Sequence, residues 1–189
     1  MTTMLTRPAP TAEKTPKPLA AEPPADLKTP AVRYVFAGLR IALCWIFLWA
    51  FLDKLFGLGF ATPAEGAWIE GGNPTKGFLT NAATGPFTDF YHNIAGATWA
   101  NWLFMVGLAA IGVALIAGVG MRIAAAAGTI MLVMMWTVVL PPANNPFMDD
   151  HLIYAGLLIA LALVNAGDTL GFGKLWGRTA LVRKAPFLK

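Results

Sequence analysis

Residues 99–119 read WANWLFMVGLAAIGVALIAGV and carry no charged side chain. A helix rises about 1.5 Å per residue, so a run of about 20 apolar residues crosses the roughly 30 Å hydrocarbon core of a bilayer. The run ends in Gly118-Val119-Gly120-Met121-Arg122, and a second apolar run, from Arg122 to Leu140, follows and stops at Pro141-Pro142. A link this short makes the two helices an antiparallel hairpin. Small residues repeat along both, as Ala110, Ala114 and Gly118 in one and Ala124 and Gly128 in the other. Helices in lipid associate by close packing, which such residues permit, so these stripes are expected to meet.

Working outward, a third apolar helix is expected at about residues 32–56, with an uncharged centre from Ile41 to Leu52. A fourth is expected to begin near Pro146 and to end near Asn165-Ala166-Gly167. Asn145 would cap it, Pro146 would fill its first turn, and Asp149 and Asp150 would face the positive helix end. Four such helices with short turns predict an all-α, integral membrane four-helix antiparallel bundle.

Composition agrees with that fold. Of 189 residues, 57% are hydrophobic and 13% charged, against about 25% charged in soluble domains. The mean hydropathy is +0.59. The single cysteine, Cys44, excludes an internal disulfide and any CxxC motif. The N-terminal stretch lacks the apolar region of a signal peptide.

The pattern divides the chain into a proline-rich tail (1–31), a membrane domain (32–167) and a basic tail (168–189). The first tail is expected to be disordered, since its composition cannot bury a core. Arg7, Lys14, Lys28, Arg33, Arg122, Lys174, Arg178, Arg183 and Lys189 fall on one side of the four-helix arrangement. Asp53, Glu65, Glu70, Asp89, Asp149 and Asp150 fall on the other. The positive-inside rule then predicts a multi-pass protein of the cell membrane with both termini cytoplasmic. The net charge of +4 reads as a basic rim facing anionic lipid rather than a nucleic-acid site.

The first outer loop, residues 57–98, is long for an idle connection. Thr62-Pro63-Ala64-Glu65 reads as a capping box, Gly71-Gly72 as a stop, and Asn73-Pro74 and Gly85-Pro86 as further starts. Phe78, Leu79, Ala82 and Ala83 share one helical face, as do Phe87, Phe90, Tyr91 and Ile94. Short amphipathic helices are expected there, lying on the membrane or capping the bundle.

The candidates for chemistry gather on the same outer side. Asp53 and His151 are the candidate catalytic groups. Trp45, Trp49 and Tyr154 are the candidate cofactor-binding groups, a flat wall for a quinone ring. Each has a plainer reading: the tryptophans as interfacial anchors, and Asp149, Asp150 and His151 as a helix cap. Asp89, His92, Asp150 and His151 could supply metal ligands, but no metal site is assigned; two histidines cannot hold more than one bis-His haem. Arg40, about two turns inside the first helix, either snorkels to headgroups or meets a polar partner in the bundle. No phosphate-binding glycine loop and no GxSxG nucleophile motif occurs, which argues against nucleotide and serine-hydrolase chemistry. A solute transporter is also disfavoured, because Thr129 and Thr137 are the only hydroxyl residues in the middle two helices.

Two stretches resemble the DoxX family of membrane proteins. Gly38-Leu39-Arg40-Ile41-Ala42-Leu43 with Phe51-Leu52-Asp53-Lys54-Leu55-Phe56-Gly57 is similar to its first-helix pattern, and Gly118-Val119-Gly120-Met121-Arg122-Ile123-Ala124-Ala125 to its second hairpin. The similarity covers about residues 33–167, and bacterial members with a long first outer loop look closest. The resemblance implies kinship with the DoxD subunit of thiosulfate:quinone oxidoreductase, and therefore a quinone-linked redox subunit with quinone as the possible cofactor. The alternative it implies is a non-catalytic accessory or assembly subunit of a respiratory or redox-stress complex. It implies no set of catalytic residues.

Overall fold

In the computed structural model, which describes residues 29–189, apolar runs and their breakers set out eight α-helices. These are α1 (Pro30–Phe56), α2 (Pro74–Asn81), α3 (Thr88–Ile94), α4 (Thr98–Ala117), α5 (Met121–Val138), α6 (Asp150–Leu163), α7 (Gly173–Gly177) and α8 (Ala180–Lys184). No strand occurs among the described residues. The proline-rich tail lies outside them as far as residue 28.

Three helices, α1, α4 and α5, are long and apolar enough to cross a membrane. The fourth apolar helix, α6, has 14 residues, or about 21 Å. It starts later than the Asn145-Pro146 signal suggests. The Asn145 side chain accepts from the amides of Phe147 and Met148, both at 2.9 Å, and closes a turn instead of a helix. Asp149 is the cap, accepting from the Leu152 amide at 3.3 Å.

The long helices pack α1 on α4, α4 on α5 and α5 on α6, with α6 reaching back to α1. Their shared core holds Leu43 and Phe47 of α1, Leu108 and Leu115 of α4, Leu132 of α5, and Leu158 and Leu161 of α6. The outward faces are apolar too: Val35, Val113, Ile153 and Leu163 are more than 55% exposed. Water would not tolerate that surface, whereas lipid does.

The small residues act in a different pairing from the expected one. Ala110 is exposed. The close approaches are Gly112 of α4 against Leu48 of α1, and Gly128 of α5 against Leu158 of α6, where an added Cβ would fall 2.5 Å from the leucine in each case. At the hairpin, Gly118 takes a positive φ of 69° and lies against Gly167 so closely that a Cβ would meet its Cα at 2.8 Å.

The start of α1 with residues 168–189 and the 57–98 loop lie at opposite ends of the bundle, here termed the terminal face and the loop face. At the terminal face residues 168–189 fold back over the helices. The Met121 amide donates to the Lys189 carbonyl at 2.7 Å, Trp176 Nε1 to the Leu188 carbonyl at 2.7 Å, and Lys189 pairs with Asp168 at 3.1 Å.

The loop begins with two 3₁₀ turns, Ala64–Gly66 and Trp68–Glu70. The capping box expected at Thr62–Glu65 does not form: Pro63 precedes the first turn and no side chain caps it. Asn73 does cap α2, accepting from the Lys76 amide at 3.1 Å. Leu79, Ala83, Tyr91 and Val138 form a second small core that docks α2 and α3 on the end of α5.

Candidate functional site

Arg40 settles the terminal face. It is fully buried, so of its two sequence readings the bundle-facing one holds and snorkelling does not. The last carbonyls of a helix have no intrahelical donors. Arg40 supplies them: Nη1 donates to the carbonyls of Leu115 and of Ile116 (3.0 Å) at the end of α4. Nη2 donates to Thr169 (3.3 Å) and Leu170 (2.7 Å) in the segment after α6. The next carbonyl, of Ala117, accepts from the Phe172 amide at 2.8 Å. A cation at a helix C-terminus also meets the negative end of the helix dipole. Arg40 therefore staples α1, α4 and the folded C-terminal segment together.

At the loop face Asp53, the last acid of α1, has the complementary role. It is buried and accepts from the amides of Phe60 (3.2 Å) and Ala61 (3.0 Å), one on each oxygen. These bonds turn the chain back after Gly57. Phe60 packs edge-on against Trp49 at 5.0 Å between centroids, and Trp49 lies 5.5 Å from Trp45. Trp45, Trp49 and Asp53 thus gather along one side of α1, with Trp45 58% exposed on the outside.

His151 and Tyr154 lie on the first turns of α6. His151 Nδ1 donates to Asp149 Oδ2 at 2.7 Å, and Asp150 lies 3.5 Å away. Tyr154 packs against the bundle core. No hydrogen bond among the described residues joins this pair to Asp53. Asp89 and His92 do not join it either. His92 Nε2 reaches the Thr80 carbonyl at 3.2 Å, and among the described residues the acid–histidine cluster is Asp149, Asp150 and His151.

A roomy cavity lies elsewhere. From their tight hairpin, α4 and α5 separate toward the loop face around a space of about 840 Å³. Its floor is Ile111 and Ala127, and its walls include Leu103, Phe104, Ile130 and Met134. The loop bridges the gap as a roof. On the α4 side, the Thr75 amide donates to Asn101 Oδ1 at 3.4 Å. On the α5 side, the Tyr91 hydroxyl donates to the Met134 carbonyl at 3.1 Å, and the Thr84 amide to Val138 at 2.9 Å. Polar groups sit only near the roof: Lys54, Thr62, Asn73, Thr75, Asn81, Tyr91 and the indole of Trp99. Lys54 is the single charged residue of the lining and is in no ion pair among the described residues.

None of Trp45, Trp49, Asp53, His151 and Tyr154 lines this cavity. Sequence reasoning passed over its walls because they are ordinary apolar helix residues. One signal was present: Met131, Met134 and Met135 crowd a single stretch of α5, and flexible methionines favour adaptable surfaces.

Apolar helices of spanning length, outward faces suited to lipid and a roofed intramembrane cavity define a multi-pass membrane protein. Residues 35–141 match the family model described as DoxX, more than half of the chain, and the chain belongs to the DoxX family. The match takes in Arg40, Asp53, Lys54 and the whole loop, and ends before α6. No curated protein and no solved structure matches the chain.

Proposed function

We propose that this DoxX-family protein is a quinone-linked redox subunit that admits a lipid-soluble ligand from the bilayer into the space between α4 and α5. The observation that carries this reading is the roofed 840 Å³ cavity. Its size suits one ligand, and apolar walls with a few polar groups at one end are the usual make-up of a small-molecule site. A quinone fits that chemistry: an apolar chain against Leu103, Ile130 and Met134, and ring oxygens near the donors of Asn81 and Lys54. When bound, the quinone would supply the electron-accepting chemistry. This chain's residues would bind it, exclude water and orient its head.

The reading includes four crossings, with α6 completing the last. Asp149 caps its start, and buried Leu158 and Leu161 hold it in the bundle. The basic residues of the terminal face support placing both termini in the cytoplasm.

Two sets of variants test the redox role. Ala127→Phe fills the cavity floor, while Asp53→Asn and His151→Gln alter the groups first singled out. Thiosulfate-dependent quinone reduction in membranes should fall with Ala127→Phe. Loss of activity only in the Asp53 and His151 variants would move the site to them. Activity unchanged in all three would remove the redox reading.

A non-catalytic accessory subunit is the second reading, favoured by a specific feature. An apolar furrow runs beside Trp68, Trp102, Val106 and Val113 on the outside of α4. Such a furrow suits a partner helix. Gentle detergent extraction with native mass spectrometry distinguishes the readings, since an accessory subunit should come out with its partner.

A further inference from the structure

We infer that the α4–α5 cavity is built for an acidic amphiphile: one apolar chain carrying a single anionic head, held by Lys54. This rests on the cavity being a ligand site, as proposed above, but not on the ligand being a quinone.

The argument begins with charge. Lys54 is half-buried at the loop end of α1 and lines a cavity that is otherwise apolar or neutral. A cation held at the edge of a low-dielectric space is costly unless it is paired. Asp53, the sequence neighbour of Lys54, forms no salt bridge with it. Adjacent residues on a helix do not face one another, and both Asp53 oxygens are already engaged by the Phe60 and Ala61 amides. No acid lines the cavity.

Three of the neutral polar groups at the roof are already committed. The Tyr91 hydroxyl is bonded to the Met134 carbonyl and Thr137, and Thr75 Oγ1 donates to Asn73 Oδ1 at 2.9 Å. The Asn73 amide nitrogen donates to the Gly96 carbonyl at 3.1 Å. Thr62, Asn81 and Trp99 add neutral donors to the lining, and the ammonium is its single full charge. A neutral head gives the ammonium no hydrogen-bonded counter-ion, whereas a carboxylate or phosphate supplies one through a charge-assisted hydrogen bond.

The rest of the cavity suits a chain. Below Lys54 the lining passes through Leu103, Phe104, Ile130 and Met131 to Ile111 and Ala127. The polar end therefore lies at the loop face and the chain points into the membrane, the orientation an amphiphile already has in a bilayer.

The test is equilibrium binding to the purified full chain in a neutral detergent, using oleate, oleyl alcohol, a short-chain quinone and an anionic two-chain phospholipid as probes. Oleate should bind about tenfold or more tightly than oleyl alcohol, the factor expected of one charge-assisted hydrogen bond. Lys54→Gln should remove that preference and Lys54→Arg should keep it. Ala127→Phe should weaken both chains while leaving Lys54 in place, which separates loss of the tail site from loss of the head site. Binding of the phospholipid in place of oleate would identify the head's source as membrane lipid and would overturn the single-chain assignment. Equal binding of oleate and oleyl alcohol, or a preference that survives Lys54→Gln, would overturn the inference. If the quinone binds under those outcomes, the redox reading stands alone. If no probe binds, both fall.

Discussion

The two ends of α1 solve the same problem in opposite ways. At the terminal face Arg40 donates to carbonyls left over from α4 and from the segment after α6, and the helices close around it. At the loop face Asp53 accepts from amides of its own loop, and its neighbour Lys54 is left facing an open cavity. A buried charge bonded on several sides draws elements together. A charge without a partner at the edge of a cavity leaves room for something else. The bundle is stapled at one end and receptive at the other.

The largest expected effect lies at the staple. Arg40→Leu leaves four carbonyls without their donor, and removing one member of a buried charged network costs about 3–5 kcal/mol. The variant should unfold far more readily on denaturation in detergent. An unchanged unfolding midpoint would mean that the terminal face does not depend on Arg40. Arg40→Lys keeps the charge but not the fork, and should recover only part of the loss.

Next comes Asp53. Asp53→Ala removes two bonds to a charged acceptor, worth about 1.5–3 kcal/mol each at most. Much of the effect should appear locally, as faster proteolysis within residues 57–62 while the helices persist. Redox activity lost without increased cleavage would instead show direct involvement in chemistry.

A matched pair of substitutions on α4 compares its two sides. Gly112→Ala drives a Cβ into Leu48, including its backbone nitrogen at 3.3 Å, and overpacking of this kind costs about 1–3 kcal/mol. Gly107→Ala meets only the Met131 Cε, the end of a flexible side chain beside the cavity. That change should be near neutral or even stabilising, since alanine favours a helix over glycine by about 0.5–1 kcal/mol. Equal losses from both would mean that the α4–α5 seam is as tight as the α1–α4 seam.

The smallest effect is expected at His151. It bonds Asp149, but Asp149 keeps its bond to the Leu152 amide without it. His151→Gln should change stability by no more than about 0.5 kcal/mol. A larger drop in unfolding midpoint would show that the start of α6 relies on the histidine as well as the cap.

Much of this molecule is legible in its sequence. The uncharged run at 99–119, the glycine hairpin and the two prolines at 141–142 dictate apolar antiparallel helices, because each effect is local and depends on a few neighbouring residues. Asn73-Pro74 announced α2 for the same reason. The start of α6 was misplaced because two good capping residues, Asn145 and Asp149, compete within five positions. The choice between them falls to tertiary packing rather than local propensity.

Long-range placement was decided only by the fold. The sequence shows that Arg40 is a charge in an apolar helix, but its four acceptors lie 75 to 130 residues away and are backbone atoms, which leave no trace in residue identity. It shows Asp53 beside Lys54, but not that one is consumed by its own loop while the other faces a cavity. That cavity is made of ordinary leucine, isoleucine and methionine positions, and it exists because α4 and α5 part beneath a loop anchored to both. Local chemistry determined the helices; where they touch and where they do not is a property of the whole chain's packing.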